Sequence, residues 1–321
     1  MPLLQGQHIT KQLMGQVLIN NISFRQEANE KVAIAGASGA GKTTLLKIIA
    51  GLLQPDSGTI IFNGKQVIGP HDKLLPGHPQ IAYLSQHFEL RNNYRVEELI
   101  WFENKMLESK AAALFEICKI NHLLQRRTDQ LSGGEKQRIA LCMLLVKSPL
   151  LLILDEPFSN LDPIHTNTLK KVLDEITARL QITCLLTSHN PMDILPWADK
   201  ILVMKDGQII QQGRPEDIYY RPLNEYVAAM FGSYNIIRQK DLALFSNIQS
   251  IVHKGQDNII RPEHFHIVRT KENAVKGIVE KIIFLGNRYE VEVLVGAVKI
   301  IAKCNSMNVC KGDEVFVTIR L

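Results

Sequence analysis

The hydrophobic positions in the first part of the chain alternate between short apolar runs and helix-like stretches. Short runs that are apolar on both faces occur at residues 32–35, 81–84, 150–154 and 182–187. Such runs are typical of strands in a buried parallel sheet. Asp162 and Pro163 place a cap residue and a first-turn proline before a helix that extends to about residue 180. This alternation predicts an α/β fold.

Two hairpins and a change of pattern divide the rest of the chain. Asn63-Gly64 after the run 59–62 predicts a type I′ hairpin, and residues 201–210 predict a second hairpin around Gly207. Residues from about 87 to 130 are helix-rich and indicate an inserted helical subdomain. After about residue 232, short alternating strands replace helical patterns, which predicts a small all-β domain. We therefore expect domains at 1–232 and 233–321.

Composition indicates the cellular compartment of the chain more clearly than its chemical activity. The chain has 321 residues, 45% of them apolar, and a net charge of +5, which suits two ordinary globular domains. Its five cysteines include no CxxC pair, so we expect reduced thiols and no zinc site. The longest apolar stretch, 139–154, is interrupted by Lys147-Ser148-Pro149 and is too short to span a bilayer. Any role at a membrane therefore needs a partner.

A glycine-rich segment carries the clearest chemistry. Residues 36–43 match GxxxxGK[ST] and lie between a predicted strand and a predicted helix. The glycines let backbone N–H groups surround phosphate oxygens, and the helix N-terminus adds partial positive charge. Lys42 is expected to bridge the β- and γ-phosphates, and Thr43 to offer its hydroxyl to Mg²⁺. The alternative is a turn without a ligand, but chance produces the pattern in only about one such chain in a hundred.

A second segment, residues 131–138 (LSGGEKQR), is compatible with far fewer classes of protein than the phosphate loop is. Ser132 and Glu135 have the spacing of a capping box, so the segment is able simply to start a helix. The same geometry exposes the N–H groups of Gly133 and Gly134 beside the Ser132 hydroxyl, where they can meet a γ-phosphate. The Gly-Gly pair and basic tail favour this second interpretation.

This eight-residue run resembles the signature motif of the ABC ATPase family, and the family's other landmarks follow in order over residues 3 to 232. Asp155 resembles the Walker B residue that holds Mg²⁺, and Glu156 the residue that polarises the attacking water. Asp162 ends a D-loop-like segment, His189 matches the switch histidine, and Gln86 matches the glutamine that senses Mg²⁺. Each residue is weak evidence alone, and their shared order carries the resemblance.

The resemblance implies a P-loop, RecA-like ATPase core with ATP and Mg²⁺, closed as a homodimer in which one copy's signature completes the other copy's site. The nucleotide-binding residues it implies are Gly36, Ala37, Ser38, Gly39, Ala40, Gly41, Lys42, Thr43, Thr44, Ser132, Gly133, Gly134, Asp155 and Asp162. The catalytic residues that the resemblance implies are Glu156, His189 and Gln86, and the Mg²⁺ ligands that it implies are Thr43, Gln86 and Asp155.

Two positions depart from the family pattern. The family usually places an aromatic residue near position 13 to stack on adenine, whereas this chain has Leu13 and Met14. The helix after the signature usually carries an arginine where this chain has Met143. We therefore expect a weaker grip on adenine and the loss of an internal ion pair.

The C-terminal segment carries a second resemblance. Phe231 to Asn235, Arg261-Pro262-Glu263 and residues 277–286 resemble the TOBE extension of uptake ATPases, whose systems import sugars, polyamines, ferric iron, sulfate or molybdate. This resemblance implies two membrane permease subunits, a substrate-binding protein, and a location at the cytoplasmic face of the inner membrane. Whether the extension senses a ligand or only stabilises a dimer stays open.

The alternative is a soluble ABC ATPase that acts on nucleic acid or the ribosome. The C-terminal aromatic residues Phe284, Tyr289 and Phe316 are scattered among acids such as Glu290 and Glu292 instead of forming a basic aromatic strip. We therefore expect no nucleic-acid partner.

Overall fold

The computed structural model describes residues 2–87, 89–104, 106–245, 257–268, 271–305 and 309–320. The chain divides into two compact units, Met1–Pro215 and Glu216–Leu321. This boundary lies before residue 232, where the sequence pattern changes, because residues 219–233 pack with the second unit. There the buried Arg261 guanidinium donates to the carbonyl oxygens of Tyr219, Ala228, Gly232 and Ser233 at 2.8–3.2 Å.

The first unit contains a parallel sheet and an antiparallel sheet with helices around them. Its strands are β1 (Leu4–Leu13), β2 (Gln16–Gln26), β3 (Lys31–Gly36), β4 (Ser57–Phe62), β5 (Lys65–Gln66), β6 (Ile81–Leu84), β7 (Leu151–Asp155), β8 (Thr183–Thr187), β9 (Lys200–Lys205) and β10 (Gln208–Gly213). Its helices are α1 (Lys42–Ile49), α2 (Val96–Glu103), α3 (Glu108–Ile117), α4 (Gly133–Leu145), α5 (Pro163–Leu180) and α6 (Pro191–Ile194). The predicted α/β class is confirmed.

The larger sheet has the order β10-β9-β3-β8-β7-β6. All neighbours from β9 to β6 are parallel, and only β10 pairs antiparallel, through the predicted hairpin. The central strands β7 and β8 are fully buried, as their two-sided apolar patterns predict. The carboxyl ends of parallel strands meet at one edge, which is where ligands bind in such sheets.

The smaller sheet, β2-β1-β4-β5, packs against the same helix as the parallel sheet. Leu4 and Phe62 of this sheet, Leu45 of α1, and Ile34 and Ile153 of the parallel sheet belong to one buried core. Its β4–β5 turn has Asn63 at φ 48° and Gly64 at φ 75°, which confirms the predicted hairpin.

The helix-rich segment expected at about 87–130 contains α2, α3 and two 3₁₀ turns, Asn121–Leu123 and Thr128–Gln130. Residues 88 and 105 of this segment lie outside the described residues. The following helix, α4, begins at Gly133 and is capped by Ser132.

The second unit is mainly β-structure, as the alternating pattern predicts. It contains α7 (Pro215–Tyr220), which begins at the boundary, α8 (Glu225–Met230), β11 (Asn235–Ile237), β12 (Asn258–Ile260), β13 (Phe265–Val268), β14 (Val275–Phe284), β15 (Tyr289–Val295), β16 (Val298–Cys304) and β17 (Glu314–Ile319). A five-stranded antiparallel sheet, β13-β17-β14-β15-β16, packs around Phe245, Phe265 and Val293. Strands β11 and β12 form a separate pair.

Candidate functional site

The glycine-rich segment forms a loop between the end of β3 and the start of α1. Gly41 has φ 98°, and a Cβ at this position would lie 2.5 Å from the Leu18 carbonyl oxygen, so only glycine fits there. Ala37, Ser38 and Gly39 are exposed at the top of the loop. The loop therefore presents backbone groups to solvent directly before a helix N-terminus, as a phosphate site requires.

Lys42 folds back across this loop. Its Nζ donates to the carbonyl oxygens of Gly36 at 2.8 Å and Ala37 at 3.1 Å. Burial lowers the pKa of Lys42, while the nearby carboxylates of Glu156 and Asp155 act in the opposite direction. The two hydrogen bonds of its Nζ go to neutral carbonyl oxygens, which a phosphate can replace, so the side chain suits a site for an anion.

Asp155, the last residue of β7, is the centre of a polar network. Its Oδ1 accepts hydrogen bonds from Thr43 Oγ1 at 3.1 Å and from Thr187 Oγ1 at 2.9 Å, and its Oδ2 accepts from Tyr83 Oη at 2.9 Å. Burial, reinforced by the Asp155 carboxylate, raises the pKa of Tyr83 above its usual range. Tyr83 is therefore a permanent donor to Asp155 in the physiological pH range.

Glu156 follows Asp155 in a left-handed backbone conformation, with φ 47°, which is costly for a residue with a Cβ. Its N–H donates to Thr187 Oγ1 at 2.9 Å, and its carbonyl oxygen accepts from Ser159 Oγ at 2.8 Å. Its side chain lies between a lysine and a histidine, with Oε1 3.8 Å from Lys42 Nζ and Oε2 3.2 Å from His189 Nδ1. The sheet edge thus directs this carboxylate toward the phosphate loop.

Two of the predicted site residues, Gln86 and Thr44, lie outside the polar network around Asp155. Gln86 lies after the end of β6 and is exposed, and among the described residues no hydrogen bond connects it to Asp155 or Thr43. Thr44 lies in the first turn of α1 and is half-buried. The structure therefore places Gln86 near the end of the neighbouring strand without bringing it into the network.

The signature segment forms the predicted capping box. The Glu135 N–H donates to Ser132 Oγ at 3.3 Å, and the Ser132 N–H donates to Glu135 Oε2 at 2.8 Å. A Cβ at Gly133 would meet no atom within 4 Å, whereas one at Gly134 would lie 2.3 Å from His165 Cδ2. Gly134 is therefore required by packing in this chain, whereas Gly133 faces open space.

Asp162 acts as the cap of α5. Its Oδ1 accepts from the N–H groups of Ile164 and His165 at 2.9 Å each, and its Oδ2 lies 2.6 Å from His165 Nδ1. Within the described residues, no hydrogen bond or ion pair joins the signature residues 132–134 to Lys42 or Thr43, whose partners are Gly36, Ala37, Asp155 and Glu156. The two groups of motif residues are therefore separate within one copy of the chain.

The position where the family pattern has an aromatic residue lies at the β1–β2 turn. Leu13 is 57% exposed and Met14 is fully exposed. The next strand reaches the phosphate loop, because the Leu18 carbonyl oxygen lies against Gly41. Exposed aliphatic and thioether side chains therefore occupy this turn.

Sequence reasoning missed three residues of these networks: Tyr83, Thr187 and His165. Thr187 pairs directly with Asp155 across β7 and β8, and Tyr83 pairs with Ile153 of β7. A polar residue at the end of a buried strand beside the Asp155 strand was the available signal for Thr187. His165 had no such signal for its contact with Ser132, because Ser132 lies in another motif 33 residues away.

A phosphate loop joined to a carboxylate pair at the edge of a parallel sheet defines a P-loop nucleoside triphosphatase. Residues 19–159 match the family model described as ABC transporter, and residues 259–320 match that of the TOBE domain. The chain belongs to the ABC transporter family, within its import ATP-binding proteins that carry a TOBE domain.

Two relatives and one solved structure illustrate this membership. The glucose import ATP-binding protein GlcV of Saccharolobus solfataricus is 36% identical over 238 residues, which cover 70% of this chain and 66% of that protein. The spermidine/putrescine import ATP-binding protein PotA of Acetivibrio thermocellus is 33% identical over 304 residues, covering 88% and 85%. The structure of cbiO1 from Clostridium perfringens, part of the ABC transporter complex cbiONQ, matches with TM-score 0.62 and 28% identity, covering 68% of this chain and 90% of that chain.

None of the helices in the described part of the chain has the length and apolar character that a bilayer-spanning segment needs.

Proposed function

We propose that this chain hydrolyses ATP to energise the import of a solute through membrane subunits, and that it works as a homodimer with two nucleotides between the copies. The observation that carries this proposal is the position of Glu156. Its carboxylate lies between Lys42 and His189 beside the phosphate loop, where a general base or water-orienting group for phosphoryl transfer belongs.

The residues around Asp155 fit Mg²⁺. Mg²⁺ prefers oxygen ligands and is usually held by one or two carboxylates together with substrate phosphates. The Asp155 carboxylate and the Thr43 hydroxyl lie 3.1 Å apart at the start of α1, and both are oxygen donors. The ion would neutralise charge on the phosphates, while Tyr83 and Thr187 hold the carboxylate in place.

We assign the remaining residues roles that their geometry supports. Lys42 exchanges its carbonyl acceptors for phosphate oxygens, which are stronger acceptors because they are charged. Glu156 orients water, and His189, which is 65% exposed, contacts the outer phosphate. Gln86 contributes to the Mg²⁺ site only if its segment moves toward Asp155 when nucleotide binds.

The homodimer is supported by the separation of the two groups of motifs. Ser132 and Gly133 are exposed at the start of α4, and a Cβ on Gly133 would meet no atom of its own chain. A helix N-terminus with a serine hydroxyl and free N–H groups is suited to a phosphate. In our proposal this phosphate belongs to a nucleotide on the phosphate loop of the second copy.

The relatives support the proposal of membrane partners. GlcV and PotA are named as import ATP-binding proteins, and cbiO1 is part of a transporter complex. We infer that this chain associates with permease subunits at the cytoplasmic face of the inner membrane and receives solute through a substrate-binding protein. The names of the two relatives specify different solutes, glucose and spermidine or putrescine, so similarity at this level does not assign the solute.

Replacing Glu156 by Gln tests the proposal. The amide keeps the size of the side chain but removes the charge, so we expect hydrolysis to fall at least a hundredfold while ATP still binds. ATP should then produce a stable dimer in sedimentation experiments, whereas the wild type returns to monomer as ATP is consumed. A variant that hydrolyses ATP normally and stays monomeric with ATP would contradict the proposed mechanism.

A further inference from the structure

Asp193 is a buried carboxylate that the proposed hydrolysis does not use, and it lies four residues after His189. Its Oδ1 lies 2.8 Å from Lys170 Nζ, and its Oδ2 accepts the Ser188 hydroxyl at 3.0 Å. Both carboxylate oxygens therefore have a partner. One partner lies on α5, and the other is the residue directly before His189.

The Ser188 hydroxyl holds the backbone on both sides of His189. Ser188 is buried, and its single hydroxyl hydrogen goes to Asp193. Its oxygen accepts the Asn190 N–H at 3.1 Å, and the Asn190 carbonyl oxygen accepts the Asp193 N–H at 3.0 Å. The residue before His189 and the residue after it are therefore both bonded to Asp193.

The ring of His189 depends on this backbone for its direction. The side chain is 65% exposed, and among the described residues its hydrogen-bond partner is Glu156, with Nδ1 3.2 Å from Oε2. A ring with so little packing around it follows the main chain that carries it. A shift of Ser188 and Asn190 would therefore change the distance between His189 and the Glu156 carboxylate.

Lys170 connects the turn around Asp193 to the segment that follows Glu156. Its Nζ donates to a carbonyl oxygen of α6 at 3.2 Å as well as to Asp193. The same ammonium group lies 5.5 Å from the centre of the ring of buried Phe158, within the range of a cation–π contact. One charged group thus contacts the segment that carries His189 and the segment that carries Glu156.

We propose that Asp193 is a positioning residue for hydrolysis that fixes the backbone around His189. With its two side-chain partners it sets the distance between the His189 ring and the Glu156 carboxylate, and it acts through the main chain. This inference rests on the proposed function, in which both of these side chains act at the outer phosphate. Taking a carboxylate and its ammonium partner out of water costs about as much free energy as their attraction returns. The geometry that the ion pair fixes therefore explains its presence better than added stability does.

The test measures steady-state ATPase kinetics of Asp193→Asn and Ser188→Ala. An amide has one acceptor oxygen, so the Asn variant cannot accept from both Lys170 and Ser188. Displacement of a catalytic group by about 1 Å costs roughly a hundredfold, and a smaller shift should lower kcat about tenfold. The KM for ATP should stay within about twofold, because the phosphate loop is untouched. Ser188→Ala removes the same hydrogen bond with a smaller change to the core and should give the same result.

A His189→Ala background separates positioning from a general loss of structure. His189→Ala alone should lower kcat about a hundredfold. Asp193→Asn added to it should lower kcat by no more than about twofold further, because both changes act through one side chain. A general structural defect would cost the same tenfold again. Thr183→Val, which removes a buried hydroxyl from the other end of β8, should lower the Tm and leave kcat unchanged.

The outcomes distinguish this inference from the proposed function. A normal kcat in both Asp193→Asn and Ser188→Ala, a loss confined to KM, or an equal loss of kcat with and without His189 would show that the inference is wrong, while the proposed function stands. If Asp193→Asn does not fold, Ser188→Ala in the two backgrounds decides the question. If His189→Ala hydrolyses ATP at the wild-type rate, the proposed role of His189 fails, and the inference fails with it.

Discussion

Thr187 connects the two acidic residues of the site, so removing its hydroxyl tests the whole arrangement. Thr187 Oγ1 donates to Asp155 Oδ1 and accepts the Glu156 N–H, both at 2.9 Å, and the residue is completely buried. Thr187→Val keeps nearly the same shape and removes both hydrogen bonds. The Glu156 N–H then has no partner, and its left-handed backbone, which costs about 1–2 kcal/mol, loses a restraint.

The magnitude follows from the two lost bonds. A hydrogen bond to a charged group contributes about 1.5–3 kcal/mol, and an unpaired buried donor costs about 1–3 kcal/mol. Because the two effects share one side chain, we expect the free energy of unfolding of the first unit to fall by about 3 kcal/mol. This corresponds to a Tm roughly 6–12 °C lower. A Glu156 carboxylate displaced by about 1 Å should lower kcat about a hundredfold.

Thr183 offers a matched control on the same strand. It is also buried, and its Oγ1 accepts the Asn29 N–H at 2.9 Å, but it lies at the opposite end of β8 from Asp155. Thr183→Val should lower the Tm with no loss of kcat, while Thr187→Ser should keep kcat within about threefold of wild type. Calorimetry and steady-state ATPase assays measure both quantities. Equal losses of kcat in Thr187→Val and Thr183→Val would refute the proposed role of Thr187.

Three further predictions concern other parts of the molecule. Gly133→Ala should fold with an unchanged Tm but lose ATP-driven dimerisation. Gly134→Ala should lower the Tm, because the added methyl group would lie 2.3 Å from the His165 ring. Equal Tm values for the two variants would contradict this difference in packing. Arg261→Met should destabilise the second unit by about 3 kcal/mol in denaturant unfolding, because buried carbonyls lose their donor, while exposed Arg320→Met should have little effect. Cysteines placed at residues 91–97 should cross-link to the membrane subunit, and failure at every position would exclude this surface.

The contiguous motifs were predictable because local geometry alone determines them. The phosphate loop is a strand, a turn and a helix in unbroken succession, and the turn itself requires the positive φ angles of Gly39 and Gly41. The capping box at Ser132 and the cap at Asp162 likewise depend on residues two or three positions away. The two helix caps can therefore be predicted without knowledge of the rest of the fold.

Sequence by itself thus determined the class of fold, the order of the elements and the residues of each motif. Tertiary structure decided which side chains support these residues. Thr187 reaches Asp155 only because β7 and β8 pair in one particular parallel register, and His165 reaches Ser132 only because α5 packs beside the start of α4. The grouping of residues 219–233 with the second unit likewise depends on buried Arg261. A pattern of apolar positions specifies which face of an element is buried, but not which partner it meets, because partner and register depend on the packing of segments far apart in the chain.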